Sequence, residues 1–250
     1  MIVVPQLRLI VASDPIASAL DLWLEAYRDA LASGRRFAVG LAGGRTPEAL
    51  YRRLAVEPLD WGRIEVFLGD ERAVPPDDPQ SNWGMIERVL LDPVSAPVEN
   101  LYRPRGEADD LAAAAAEYAR IMEGMLPMAA SGAPVLDLLL LGLGSDGHTA
   151  SLFPGSRALS VSDRWYVSAA GPSQVEPRLT ITYPVIEAAR AVCVLVFGES
   201  KAGILSQVLQ GEPSLPAAPL RDWPNVIWLT DEEAAREVVA APRLLDIERR

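Results

Sequence analysis

The chain contains a single histidine, His148. It lies in the loop Gly142-Leu143-Gly144-Ser145-Asp146-Gly147-His148-Thr149-Ala150-Ser151-Leu152-Phe153-Pro154-Gly155, directly after the most hydrophobic run, Val135 to Leu141. A lone histidine is commonly a satisfied structural residue. The glycine-rich backbone, the position after a strand and Asp146 two residues earlier favour chemistry instead. An imidazole can take a proton from water at neutral pH. A neighbouring carboxylate would hold the ring and favour the imidazolium once formed. One histidine gives too few ligands for the usual zinc geometry, so no metal and no cofactor are expected.

Two further loops carry chemistry-bearing residues. Ala42-Gly43-Gly44-Arg45-Thr46-Pro47 joins a strand to a helix start. Its glycines allow close backbone approach, and free amides with a positive dipole end would suit phosphate or carboxylate. It could equally be an ordinary tight turn with Thr46 as N-cap, and it matches neither the P-loop nor the dinucleotide glycine pattern. Gly69-Asp70-Glu71-Arg72 places carboxylates beside an arginine, either to position a polar substrate or as a solvated turn.

The elements that must position these loops alternate. Strands are expected at Leu7 to Val11, Phe37 to Leu41, Ile64 to Leu68, Val135 to Leu141, Arg178 to Thr182, Ala191 to Phe197 and Val226 to Leu229. Asp14-Pro15 opens a helix carrying Ile16, Leu20, Trp23, Leu24, Tyr27 and Leu31 at helical spacing, with Gly34 as its stop. Further helices are expected from Thr46, over Ser81 to Leu91, Glu107 to Leu126 and Ser200 to Leu209, and from Asp231 onward. This rhythm predicts a mostly parallel α/β sheet with helices on both faces, a Rossmann-like three-layer fold. No repeat, linker or composition shift divides residues 1–250, so one domain is expected. In such a sheet, ligands sit beyond the carboxyl ends of the strands, where all three loops lie. The Pro-rich stretches Pro75 to Pro79 and Glu212 to Pro219 read as loops, the first a candidate cover for a ligand.

A net charge of −11 argues against a nucleic-acid surface, though a local basic pocket could still take an anion. The only cysteine, Cys193, sits in a core-strand pattern and reads as an inert buried thiol. No window has the length of a membrane span and the amino terminus has no secretory pattern, so a cytoplasmic protein is expected.

At the three loops the sequence resembles the 6-phosphogluconolactonase family, within the group that includes glucosamine-6-phosphate deaminases. The resemblance covers Ala42 to Pro47, Gly69 to Asn82, Gly142 to Gly155, Pro177 to Thr182 and Gly198 to Lys201, in order. It implies hydrolysis of 6-phospho-D-glucono-1,5-lactone, a pentose phosphate pathway step, without a cofactor. It implies that Gly43, Gly44, Arg45 and Thr46 cradle phosphate, with Arg178 and Lys201 as side-chain phosphate ligands. It also implies that His148 is the general base, with Asp146, Asp70 and Arg72 in the active site. The expected partner is a phosphosugar lactone, with no nucleic acid or membrane, and the chain is expected to be a monomer or weak homo-oligomer.

Two other readings are weaker. A deaminase of this group carries a glutamate five positions after the histidine, where this chain has Phe153. A non-catalytic phosphosugar-binding module, as in transcription regulators of this fold, would leave His148 idle.

Overall fold

The computed structural model describes residues 7–171, 177–239 and 245–250, with the side chains of residues 239, 245 and 246 left out of the description. A seven-stranded sheet runs in the order β10-β1-β9-β8-β5-β2-β3, and every pairing in it is parallel. Its strands are β1 (Leu7–Val11), β2 (Phe37–Leu41), β3 (Ile64–Leu68), β5 (Leu138–Gly142), β8 (Val192–Val196), β9 (Val226–Thr230) and β10 (Leu245–Arg249). A second sheet is antiparallel and orders β4 (Asp70–Arg72), β7 (Arg178–Ile181) and β6 (Tyr166–Ala169) as β4-β7-β6.

Period-two alternation divides the buried strand residues between two cores. Leu138 and Leu140 join Ile10, Val39, Val66 and Cys193 under α1 (Pro15–Ala32), α2 (Arg45–Leu54) and α3 (Asn82–Ile86). Leu139 and Leu141 join Leu9, Phe67, Val194 and Trp228 on the opposite face. There they meet α4 (Leu111–Met125), the small sheet, α5 (Tyr183–Ala188), α6 (Ala202–Gln210) and α7 (Glu232–Val239). The three layers expected from the sequence are thus present. Burial pushes the Cys193 thiol up to about 12, in keeping with an inert core residue.

Local signals set the helix ends. Asp14 accepts from the Ala17 amide at 2.9 Å and Pro15 begins α1. Asp110 likewise caps α4, which starts at Leu111 rather than Glu107. Gly44, with φ of 109°, is the N-cap of α2, so Thr46 lies inside the helix and does not cap it. The helix expected over Ser81 to Leu91 is α3 followed by a π turn at Glu87–Leu91.

Other differences concern strands. Arg178–Ile181 belongs to the small antiparallel sheet, not to the parallel one, and β4 and β6 were not anticipated. The closing helix expected from Asp231 ends at Val239; residues 240–244 lie outside the described residues, and β10 returns the chain to pair with β1. Among the described residues, no helix is long and apolar enough to cross a membrane.

Candidate active site

Between β2 and β5 the chain direction across the sheet reverses: β2 leads outward to β3, and β5 leads the other way to β8 and β9. Loops leaving the carboxyl ends of such strands diverge and open a crevice. A cleft of about 460 Å³ lies there, lined by Gly43 after β2, Asp70 and Arg72 of β4, Asn82 of α3, the loop from Gly142 to Phe153, and Arg178 of β7. Two ties fix its rim. Tyr51 of α2 accepts from the Ala42 amide at 3.0 Å and donates to the Ala42 carbonyl at 2.7 Å. Tyr118 of α4 accepts from the Leu68 amide at 2.8 Å.

His148 lies in the cleft with Nδ1 2.5 Å from Asp146 Oδ1. Burial pushes the Asp146 carboxyl upward, but its hydrogen bonds and the His148 charge outweigh this and hold it below its ordinary value. A neutral ring that donates from Nδ1 keeps its lone pair on Nε2. Gly144 makes the packing possible, since a Cβ there would sit 2.1 Å from His148 Nδ1. Phe153, buried, rests against the imidazole with ring centroids 4.5 Å apart. Lys201 Nζ donates to the Leu143 carbonyl at 2.7 Å, and burial lowers its ammonium value while the Asp146 charge opposes.

Across the cleft, β4 and β7 place Asp70 opposite Thr180 and Arg72 opposite Arg178. Like charges directly opposite on a sheet are unfavourable unless an anion lies between or near them. Arg72 donates through Nη1 to the Gln80 carbonyl at 2.6 Å, while its buried Nε has no hydrogen-bond partner among the described residues. The Asp70 carboxylate accepts from Ser151 Oγ at 2.6 Å and from Asn82 Nδ2 at 3.3 Å. Glu71 points to the other side of β4. It accepts from the amides of Arg72, Asn82 and Trp83 and from Ser81 Oγ. Burial raises the Glu71 carboxyl above its ordinary value, and those donors oppose the rise.

The structure therefore brings Gly43, Asp70, Arg72, Asp146, His148 and Arg178 to one cleft. Gly44, Arg45 and Thr46 do not line it; they begin α2 directly beyond Gly43. Lys201 reaches the back of the histidine loop rather than the open cleft. A family model described as glucosamine-6-phosphate isomerases/6-phosphogluconolactonase matches residues 12–228.

The chain belongs to that family.

Its relatives within the family include a 6-phosphogluconolactonase of Nostoc sp., 38% identical and aligned over 89% of this chain and 93% of that protein. A 6-phosphogluconolactonase of Synechocystis sp. is 39% identical over 84% of this chain and 88% of the relative. Among solved structures, 6-phosphogluconolactonase from Trypanosoma brucei superposes with a TM-score of 0.82 at 30% identity, covering 92% of this chain and 98% of that one.

Sequence reasoning passed over Asn82, Ser151 and Gly144 although all stood inside the stretches that resemble the family. Asn82 and Ser151 contribute contacts to Asp70 on another segment, and Gly144 contributes the space its missing Cβ leaves for His148; spacing along one loop carries no sign of either. The close approach of Asn82 to Gly43 was equally hidden: a Cβ on Gly43 would lie 1.7 Å from Asn82 Oδ1.

Proposed function

We propose that the chain hydrolyses 6-phospho-D-glucono-1,5-lactone to 6-phospho-D-gluconate, with His148 as general base. The observation that carries this reading is the His148–Asp146 pair, bonded at 2.5 Å, in one cleft with the facing guanidinium strands.

The lactone carbonyl is already electrophilic, so water can attack it directly. Nε2 of His148 takes the proton of that water as its oxygen bonds to the carbonyl carbon. Asp146 holds the ring and stabilises the imidazolium. The tetrahedral intermediate carries an oxyanion, which Arg72 or loop amides stabilise, worth roughly 2.7–4 kcal/mol for each well-placed donor. Its collapse breaks the bond from the former carbonyl carbon to the ring oxygen, and the imidazolium returns its proton to that oxygen. Asp70 lies beside the sugar ring. Gly43, at the entry to α2, and Arg178 form the phosphate side of the site, with Gly44, Arg45 and Thr46 supporting Gly43 from α2 and Lys201 holding the Leu143 carbonyl of the histidine loop; binding energy at the phosphate orients the distant carbonyl. Phe153 supports hydrolysis over amine release, because the position of the deaminase glutamate is filled by an aromatic ring packed on His148. The chain acts as one domain, a monomer or weak homo-oligomer in the cytoplasm, without nucleic acid.

The test is hydrolysis of freshly generated lactone by wild type and His148→Ala beside a no-enzyme blank. Wild-type turnover well above the blank, falling about 10²–10⁴-fold in the variant, is expected. Wild-type hydrolysis at the blank rate, or full activity of the variant, refutes the reading. Arg178→Ala should chiefly raise KM for the phosphorylated substrate, and an unchanged KM would remove its phosphate assignment.

A further inference from the structure

We propose that Ser151 is a positioning residue for the lactonase reaction, joining the histidine loop to Asp70 across the cleft. The proposal rests on the hydrolytic reading above and assigns Ser151 no proton transfer of its own.

Ser151 is buried, 1% exposed, yet it lines the cleft. Its amide donates to Thr180 Oγ1 at 3.1 Å and its hydroxyl donates to Asp70 Oδ2 at 2.6 Å. Thr180 and Asp70 face each other across β7 and β4. Ser151 therefore fastens the loop to a single rung of the small sheet through backbone and side chain together. His148 is three residues earlier on the same loop, while Arg72 is two residues beyond Asp70. The bond thus sets the spacing between the general base and the strand carrying the oxyanion and sugar-ring groups.

The preceding residue shows that this fastening works against a local cost. Ala150 has φ of 47°, a left-handed conformation that is sterically unfavourable for a non-glycine residue. The turn at Ala150 delivers the Ser151 amide and hydroxyl to the rung. Hydrogen bonds to a charged acceptor are stronger than those between neutral groups and can hold such a conformation. Asn82 grips the same carboxylate from the other side. Its Nδ2 donates to the Asp70 carbonyl at 2.9 Å as well as to Oδ1. With both oxygens engaged by fixed donors, Asp70 presents its remaining lone pairs to the cleft in one orientation.

The experiment is a double-mutant cycle on 6-phosphogluconolactone hydrolysis with wild type, Ser151→Ala, Asp70→Asn and the double variant, each assayed below its own melting temperature. Ser151→Ala is expected to lower kcat about 10-fold with KM held within about 2-fold. In the Asp70→Asn background the same change should cost less than about 2-fold, because the carboxylate it positions is gone. A purely structural role for Ser151 would give equal losses in both backgrounds. That outcome overturns the proposal, as does a loss confined to KM or full activity of either single variant. Should Ser151→Ala fail to fold, Ser151→Cys, close in size and a poor donor, carries the same cycle. Wild-type hydrolysis at the blank rate would remove the lactonase reading and this proposal with it. Wild-type hydrolysis with additive losses removes this proposal alone.

Discussion

His148 is useful because its surroundings leave the ring one orientation. Asp146 fixes Nδ1, Phe153 packs against the ring at a tilt of 48°, and Gly144 supplies the missing volume on which the imidazole lies. Gly144→Ala would place a Cβ 2.2 Å from Cε1 as well as against Nδ1, so the ring must leave its place. Assays of this variant should show a kcat loss of about 10²-fold or more with the fold retained, since a displaced base loses most of its contribution. A variant with wild-type kcat would show that the ring position is immaterial. Asp146 adds a pH signature. Its folded value lies below the ordinary one, so its stabilisation is present above the ordinary aspartate value and is lost as pH falls through the lowered value. Melting curves should therefore show the lead of wild type over Asp146→Asn steady at neutral pH and shrinking in the acid range. The side chain is 41% exposed, which keeps that lead small.

At the level of elements, β4 has two jobs on its two faces. Asp70 and Arg72 face the cleft, and Glu71 between them closes the start of α3 from below. Each Glu71 oxygen accepts from two donors: Oε1 from the Arg72 and Asn82 amides, Oε2 from Ser81 Oγ and the Trp83 amide. Glutamine has the same shape but would turn an amide nitrogen toward two of those donors. Glu71→Gln should thus destabilise the protein by roughly 1–3 kcal/mol, measured by chemical denaturation, although no volume changes. An equally stable variant would show that the donors are satisfied elsewhere. The same strand shows where sequence reading reached its limit. The long apolar runs that became β2, β3, β5, β8 and β9 announced themselves because parallel strands are covered on both faces. Asp70–Arg72 is three charged residues, with no hydrophobic period to detect, and becomes a strand only because Arg178–Ile181 lies beside it. The glycine-rich histidine loop was legible for the opposite reason: its residue types are unusual wherever they fold. Ser151 and Asn82 were not, since each matters through a partner tens of residues away.

Across the whole molecule, the site occupies one half of the parallel sheet and stability is shared by all of it. The cleft gathers around the ends of β2, β3 and β5, whereas β10 forms the far edge. The alternation of Leu245, Asp246, Ile247 and Glu248 is a strand pattern in the sequence. Four residues of alternation after a helical pattern that begins at Asp231 are too short to separate from it by period alone. β10 pairs with β1 along Leu7 to Val11, and Arg250 adds two backbone bonds, donating to the Val11 carbonyl and accepting from the Ser13 amide. Deleting residues 245–250 would make β1 the edge strand, paired on one side only, to β9, while the ladder from β1 to β3 stays intact. The loss of several backbone hydrogen bonds should cost roughly 3–5 kcal/mol and lower the melting temperature markedly. Below that temperature, kcat and KM of the folded fraction should stay within about 2-fold of the full chain, because β10 is the sheet edge opposite to β2 and β3, around whose ends the cleft gathers. A truncated protein that folds stably but has lost its activity would show instead that the far edge is coupled to the position of His148. The parallel sheet would then have to be regarded as one mechanical unit rather than a support whose edge can be removed without moving the site.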